Sequence, residues 1–201
     1  MNQDKLLDFY EKAKKHVISN GFENEIRHVE QLDFEKMTPT EFYLQYCYVV
    51  FNTGMKNQIA ENMYEDFLNG FKRVNCGISD ISKTVSMIRH PGKRKAIHNA
   101  YFRYEGWFET LKEKKSIEEQ LEFLETLDFI GLVTKFHLAR NIGLDVAKPD
   151  RHLVRIAEHF DMPSVREMCE FISGKTGDRV GVVDVILWRN SNLNPNWMEE
   201  A

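Results

Sequence analysis

Apolar residues recur at helical spacing along nearly the whole chain, and the breaks between runs carry recognisable stop and start signals. From Lys5 to Ile18 the run is Leu6, Leu7, Tyr10, Ala13 and Val17, ending at Asn20-Gly21. A second helix is predicted from Pro39: Thr38 suits the cap, proline suits the first helical position, and Glu41 stands three residues after the cap. Its residues Phe42, Leu44, Tyr46, Val49, Val50 and Phe51 leave little polar face, so it should be mostly buried. Asn52-Thr53-Gly54 breaks that pattern, and Met55 to Phe71 resumes it with Ile59, Met63, Phe67 and Phe71.

Ile78 to Ile88 predicts a weaker helix stopping before Pro91-Gly92, and Lys93 opens one long helix with Ile97, Tyr101, Tyr104, Trp107, Phe108 and Leu111 on an aromatic face. Such a face is more often core than a stacking platform for bases. Ser116 and Glu119 form a capping box for Ile117 to Thr126. After Asp150 the positions Leu153, Ile156, Ala157 and Phe160 give a core-facing stripe, and Ser164 to Ile172 and Val180 to Trp188 add two helices around Gly174 and Gly177. The tail from Asn190 to Ala201 has little pattern and is expected to pack late or to fray. No run alternates with period two, so the fold class predicted is all-α.

Composition narrows the classes without naming one. With 201 residues, 42% hydrophobic and 29% charged, the chain suits a soluble globular protein of one domain or two small lobes. No run approaches the roughly 20 apolar residues of a membrane span and no signal peptide opens it, so a cytoplasmic protein is expected. Cys47, Cys76 and Cys169 are odd in number and widely spaced, which argues for reduced thiols in or near the core and against a zinc or iron-sulfur site. The net charge is −4, yet between Lys83 and Lys115 nine Lys or Arg (Lys83, Arg89, Lys93, Arg94, Lys95, Arg103, Lys112, Lys114, Lys115) face three Glu (Glu105, Glu109, Glu113). That window is +6 and the remainder −10, a distribution that can steer a polyanion to one face. Lys93, Arg94 and Lys95 are its candidate contacts with such a polyanion.

Candidate chemistry lies between Leu127 and His152. Leu127 to Gly131 reads as a tight hairpin opening a helix from Leu132 to Ile142, and Gly131 would let a ligand approach the backbone. The amides of the following residues would then point outward with the positive end of the helix dipole, an arrangement that suits a phosphodiester. Gly143 stops the helix and the chain swings through Lys148-Pro149 to Asp150, which opens the next one. Asp184, a carboxylate on the apolar run Val182 to Ile186, is expected to be buried and paired with an arginine.

Leu-x-x-Ile-Gly, twelve residues to Gly143 and then Asp150 opening a helix, resembles the helix-hairpin-helix DNA glycosylase superfamily. The similarity is best from about Ser116 to Phe160 and extends weakly over Phe42 to Phe71. The resemblance implies a single glycosylase-like domain over residues 1–201, two-lobed and helical, with its hairpin and catalytic region at 116–160. It implies DNA as partner, a flipped nucleotide, a role in base excision repair and a monomeric protein. Gly131, Leu132, Val133, Thr134 and Lys135 would hold the DNA backbone, with Arg151 and His152 as further contacts and Asp150 as catalyst. Tyr46, Asn52, Gln58, Tyr104 and Trp107 are candidates for the base pocket. No cofactor is implied beyond a monovalent cation at the hairpin carbonyls.

Three departures from that pattern shape the expected chemistry. Val133 stands where bifunctional members keep their Schiff-base lysine, and Lys135 lies roughly 200° further around the helix. Asp128-Phe129 replaces the usual Pro-Gly of the hairpin, and the cysteine quartet of the iron-sulfur members is missing. A monofunctional DNA N-glycosylase is expected, in which Asp150 stabilises positive charge on the sugar and orients or deprotonates a water. Two alternatives stay open: a phage-type thymine hypermodification transferase acting on an activated 5-hydroxymethyluracil, and a non-catalytic DNA-binding module in which Asp150 is only a helix cap.

Overall fold

The computed structural model describes residues 2–55, 57–77 and 79–199, and among these every regular element is helical. The α-helices run in order α1 Asn2–Ser19, α2 Glu23–Gln31, α3 Pro39–Asn52, α4 Asn57–Asn75, α5 Ile81–Ser86, α6 Pro91–Tyr101, α7 Tyr104–Glu113, α8 Ile117–Glu125, α9 Thr134–Asn141, α10 Arg151–His159, α11 Val165–Thr176 and α12 Val180–Leu193. Short 3-10 turns follow at Phe34–Lys36 and Trp197–Glu199. Ile78, the expected start of a helix, lies outside the described residues. The chain divides into two compact units, one of residues 1–34 with 139–201 and one of residues 35–138.

Each unit is organised around one helix that is apolar almost all round. In the continuous unit this is α3, which packs against α4, α6 and α7. Its predicted capping box is present, with Thr38 Oγ1 accepting from the Glu41 amide and Glu41 accepting from the Thr38 amide. Phe42, Tyr43, Tyr46, Cys47, Val49, Val50 and Phe51 are all buried. Tyr43 donates its hydroxyl to the Ile97 carbonyl at 3.0 Å, which satisfies the polar end of a ring set among Phe67, Phe71, Tyr101 and Tyr104.

In the discontinuous unit the central helix is α12, against which α1, α2, α10 and α11 pack. Leu6, Phe9, Tyr10, Ala13 and Val17 of α1 meet Val182, Val183, Val185, Ile186 and Leu187 in one core with Leu153, Ile156 and Met168. Asp178, just before α12, accepts from the Tyr10 hydroxyl at 2.7 Å and pairs with Lys14 at 2.7 Å, fastening α1 at that end.

The structure differs from the expected pattern at several places. The predicted long basic helix from Lys93 is two helices, broken at Phe102-Arg103. The Ser164 helix runs through Gly174 and stops only at Gly177, which takes the left-handed conformation at φ 79°. α2, which the sequence pattern did not reveal, has just two buried residues, Ile26 and Val29. The tail packs: Trp197 is 2% exposed against Phe9 and His159. Cys47 and Cys169 are buried but Cys76 is exposed, and none of the three is bonded to another.

Candidate functional site

The hairpin belongs to the continuous unit. Its turn closes with the Ile130 amide donating to the Leu127 carbonyl at 3.0 Å, and Phe129 sits at φ 66°. A non-glycine residue in the left-handed region costs roughly 1–2 kcal/mol, so the turn keeps a glycine-type conformation with a bulky side chain. The ring is held by neighbours: His90 lies 5.8 Å away edge-on, and a Cβ on Gly92 would come within 3.0 Å of it. Tyr46 is fully buried and donates its hydroxyl to the Asp128 carbonyl at 3.0 Å, while its ring meets Trp107 at 5.7 Å. Tyr46 therefore fixes the hairpin from behind and does not line an open pocket.

At the start of α9, Thr134 Oγ1 takes the Gly131 amide at 2.7 Å, and the Lys135 amide donates to the Gly131 carbonyl at 2.9 Å. The amides of Leu132 and Val133 have no hydrogen-bond partner among the described residues. Leu132 is 71% exposed. Gly131 has no positive φ, and a Cβ there would meet nothing within 4 Å, so nothing inside the chain requires glycine at that position. Lys135 departs from its expected role: its amide is used within the helix and its ammonium pairs with Glu125. Three hairpin carbonyls also already accept bonds, Leu127 from Ile130, Asp128 from Tyr46 and Gly131 from Lys135. That set does not favour a cation. Among the described residues no cluster of three or more His, Cys, Asp or Glu is placed to hold a metal ion.

The other sequence candidates of this unit separate. Lys93 is 3% exposed, and its ammonium donates to the carbonyls of Phe51 at 2.9 Å and Thr53 at 2.6 Å. It closes the C-terminal end of α3 and is no surface contact; burial pushes its pKa below the ordinary lysine value. Arg94 and Lys95 are exposed as expected. Tyr104 packs on Tyr43, Asn52 donates to the Tyr48 carbonyl of its own helix, and Gln58 is exposed beside Asn62. Of the five pocket candidates, Tyr46 and Trp107 meet ring to ring at 5.7 Å.

Asp150 belongs to the discontinuous unit and caps α10. Its Oδ1 accepts from the amides of His152 at 2.9 Å and Leu153 at 3.3 Å. Oδ2 stays outside the cap and faces the Lys148 ammonium at 3.7 Å; the side chain is 14% exposed. Arg151 is exposed and His152 half-buried. Burial lowers the His152 pKa below the ordinary histidine value, so near neutral pH its ring is uncharged and Arg151 is the cation of this turn.

The loop that delivers Asp150 is fastened by groups that sequence reasoning did not assign to it. Asp184, fully buried on α12, accepts from Arg140 and from the Lys148 amide. Its expected arginine partner is thus Arg140. Burial outweighs these attractions and raises the Asp184 pKa above the ordinary carboxylate value. Asp145 accepts from the Gly181 amide at 2.9 Å, and Arg179 donates to the carbonyls of Gly143 and Leu32. Gly143 has φ 92°, and a Cβ there would lie 2.6 Å from the Phe34 nitrogen, so both conformation and space require glycine.

Neither a protein-family profile nor a curated protein matches the chain. A solved structure does, that of Methanocaldococcus jannaschii 8-oxoguanine glycosylase/lyase in complex with a 15mer DNA containing 8-oxoguanine. The TM-score is 0.66 with 18% identity, over 92% of this chain and 95% of that one. The two proteins share an all-helical fold.

Proposed function

We propose that this chain is a DNA base-modifying enzyme, a monofunctional N-glycosylase acting through Asp150. The observation that carries the reading is the division of labour in that carboxylate: Oδ1 is spent on the helix cap, while Oδ2 is free of it on a side chain that is mostly removed from water. Breaking an N-glycosidic bond builds positive charge on the sugar. A carboxylate oxygen held by its own helix, near C1′, stabilises that charge without reorganising and can take a proton from the attacking water. The fold shared with a DNA glycosylase supports the assignment of DNA as substrate. In the hairpin, the Leu132 and Val133 amides at the start of α9 are suited to one phosphate.

Strand cleavage is not part of the reading. Val133 offers no amine, and Lys135 is engaged with Glu125, so no Schiff base forms on this helix and the product is an intact abasic strand. A second reading, a DNA-binding module with Asp150 as a cap alone, is favoured by the two amides that Oδ1 accepts.

One experiment separates them. Duplexes carrying oxidised, deaminated, alkylated or hypermodified bases are incubated with the protein and the products weighed by mass spectrometry. Oxidised purines come first, since the similar Methanocaldococcus jannaschii protein is an 8-oxoguanine glycosylase/lyase. Asp150→Asn keeps a capping oxygen and should lower release about 10²–10⁴-fold. Undiminished release by the variant overturns the role of Asp150. Binding without release from any duplex favours the module.

A further inference from the structure

An aromatic ring stands out of the basic surface of the 35–138 unit. Phe102, in the turn between α6 and α7, is 68% exposed. Its ring centroid lies 5.3 Å from those of both His98 and Tyr101, each meeting it edge to face. Lys95 and His98 precede it by about two turns and one turn, on the same side of α6. The His98 Nε2 is 3.2 Å from the Ser82 hydroxyl, which carries this surface across to α5, where Lys83 is the next residue. Arg103 follows Phe102 directly.

The surface of this unit carries cations that enter no ion pair among the described residues. Lys83, Arg89, Arg94, Lys95 and Arg103 are exposed, and among the described residues none of them makes an ion pair. Elsewhere on the molecule surface cations commonly do, as in Lys12 with Asp8, Arg27 with Glu23 and Arg166 with Glu170. A simple polyanion would use the charges and leave the ring in water. A duplex would also leave it so, because each base face is already covered by its neighbours. An unpaired base between phosphates uses both, since every base presents a π-face and stacking on an aromatic side chain tolerates any sequence.

We propose that this surface binds a single-stranded stretch of nucleic acid, with Phe102 stacked on an unpaired base and Lys83, Lys95 and Arg103 neutralising the flanking phosphates. It involves neither Asp150 nor the hairpin and stands independently of base release.

Fluorescence anisotropy tests it, using the full chain and labelled oligodeoxyuridylate or oligouridylate of about twelve nucleotides. Dextran sulfate serves as a polyanion without bases. Phe102→Ala should weaken strand binding about tenfold, and Phe102→Trp should restore it with quenching of the new indole on binding. Replacing Lys83 and Arg103 together by alanine should flatten the slope of log affinity against log salt by about 1.4. Base release is measured separately on the same preparation, so failure of the glycosylase reading leaves this result intact. Because Phe102 is exposed, its variants should melt with the wild type. Strand binding that is indifferent to Phe102→Ala, or dextran sulfate that displaces the strand equally from wild type and Phe102→Ala, would overturn the proposal. Preference for one of the two oligonucleotides assigns the strand as DNA or RNA.

Discussion

At Asp184 two opposing effects act on one carboxyl. Arg140 and the Lys148 amide favour its charge, and complete burial disfavours it more. Folded, the group holds its proton to higher pH than it does in the unfolded chain. Through the interval above the ordinary Asp pKa of 3.8 the folded state therefore binds more protons, and this group's contribution to stability falls as pH rises, levelling off above its folded pKa. Asp184→Asn removes the titration and keeps only one acceptor oxygen for the two donors, Arg140 and the Lys148 amide, so it should cost about 1–3 kcal/mol. Urea midpoints of both proteins across pH check this: the gap should be widest at the acid end of that interval and narrow as pH rises. A gap that widens with pH would contradict the assignment. Asp184 and Asp150 were both visible in the sequence, one as a charge on an apolar helix and the other as a helix opener. Lys93 was misread as surface because it was grouped with its basic neighbours. Its register with Ala96, Ile97 and Ala100, at i+3, i+4 and i+7, places it on the buried face of α6. Lys148 left no comparable signal; its approach to Oδ2 depends on how a loop without helical period is anchored from α12.

Among the elements, the hairpin and α9 carry the most direct test of what holds a backbone. Gly131 has ordinary φ and open space around its missing Cβ, so Gly131→Ala should leave stability unchanged or raise it by about 0.4–1 kcal/mol through the unfolded chain. If the hairpin holds phosphate, the same change should weaken duplex binding. Thermal melts and anisotropy on one preparation give both readings, and an unchanged affinity would mean that the hairpin holds no phosphate. Some helix starts with chemical caps were legible, those at Thr38, Ser116 and Asp150, whereas the caps Asp80 and His90 were not. The break at Phe102-Arg103 was not, because it contains neither Gly nor Pro and the aromatic spacing continues across it. The same break is what leaves Phe102 outside the core. α2 was missed because two apolar residues in nine do not establish a period.

At the level of the molecule, one unit is continuous and the other is made from both ends of the described chain. Residues 35–138 contain α3 and all its packing partners, so the isolated fragment should be helical and melt cooperatively. Residues 1–34 and 139–201 should each be largely unfolded alone, since α1 and α2 find their core only against α12. Circular dichroism of the three fragments, and of the last two mixed, checks this; a stably folded 1–34 fragment would refute it. The all-α class was readable from period alone, whereas the division was not, because no linker of distinct composition marks residues 34 or 138. The arrangement also sets a schedule for synthesis. About 160 residues separate Phe34 from the end of α12 at Leu193, which at about 5–20 residues per second is a wait of roughly ten to thirty seconds on the ribosome. During that time the apolar stripe of α1, with Leu6, Phe9, Tyr10 and Val17, lacks the α10 to α12 part of its core, and the 35–138 unit is finished before that part is made. The nascent chain thus offers a hydrophobic helix to holding chaperones early, and release must await the last of its helices.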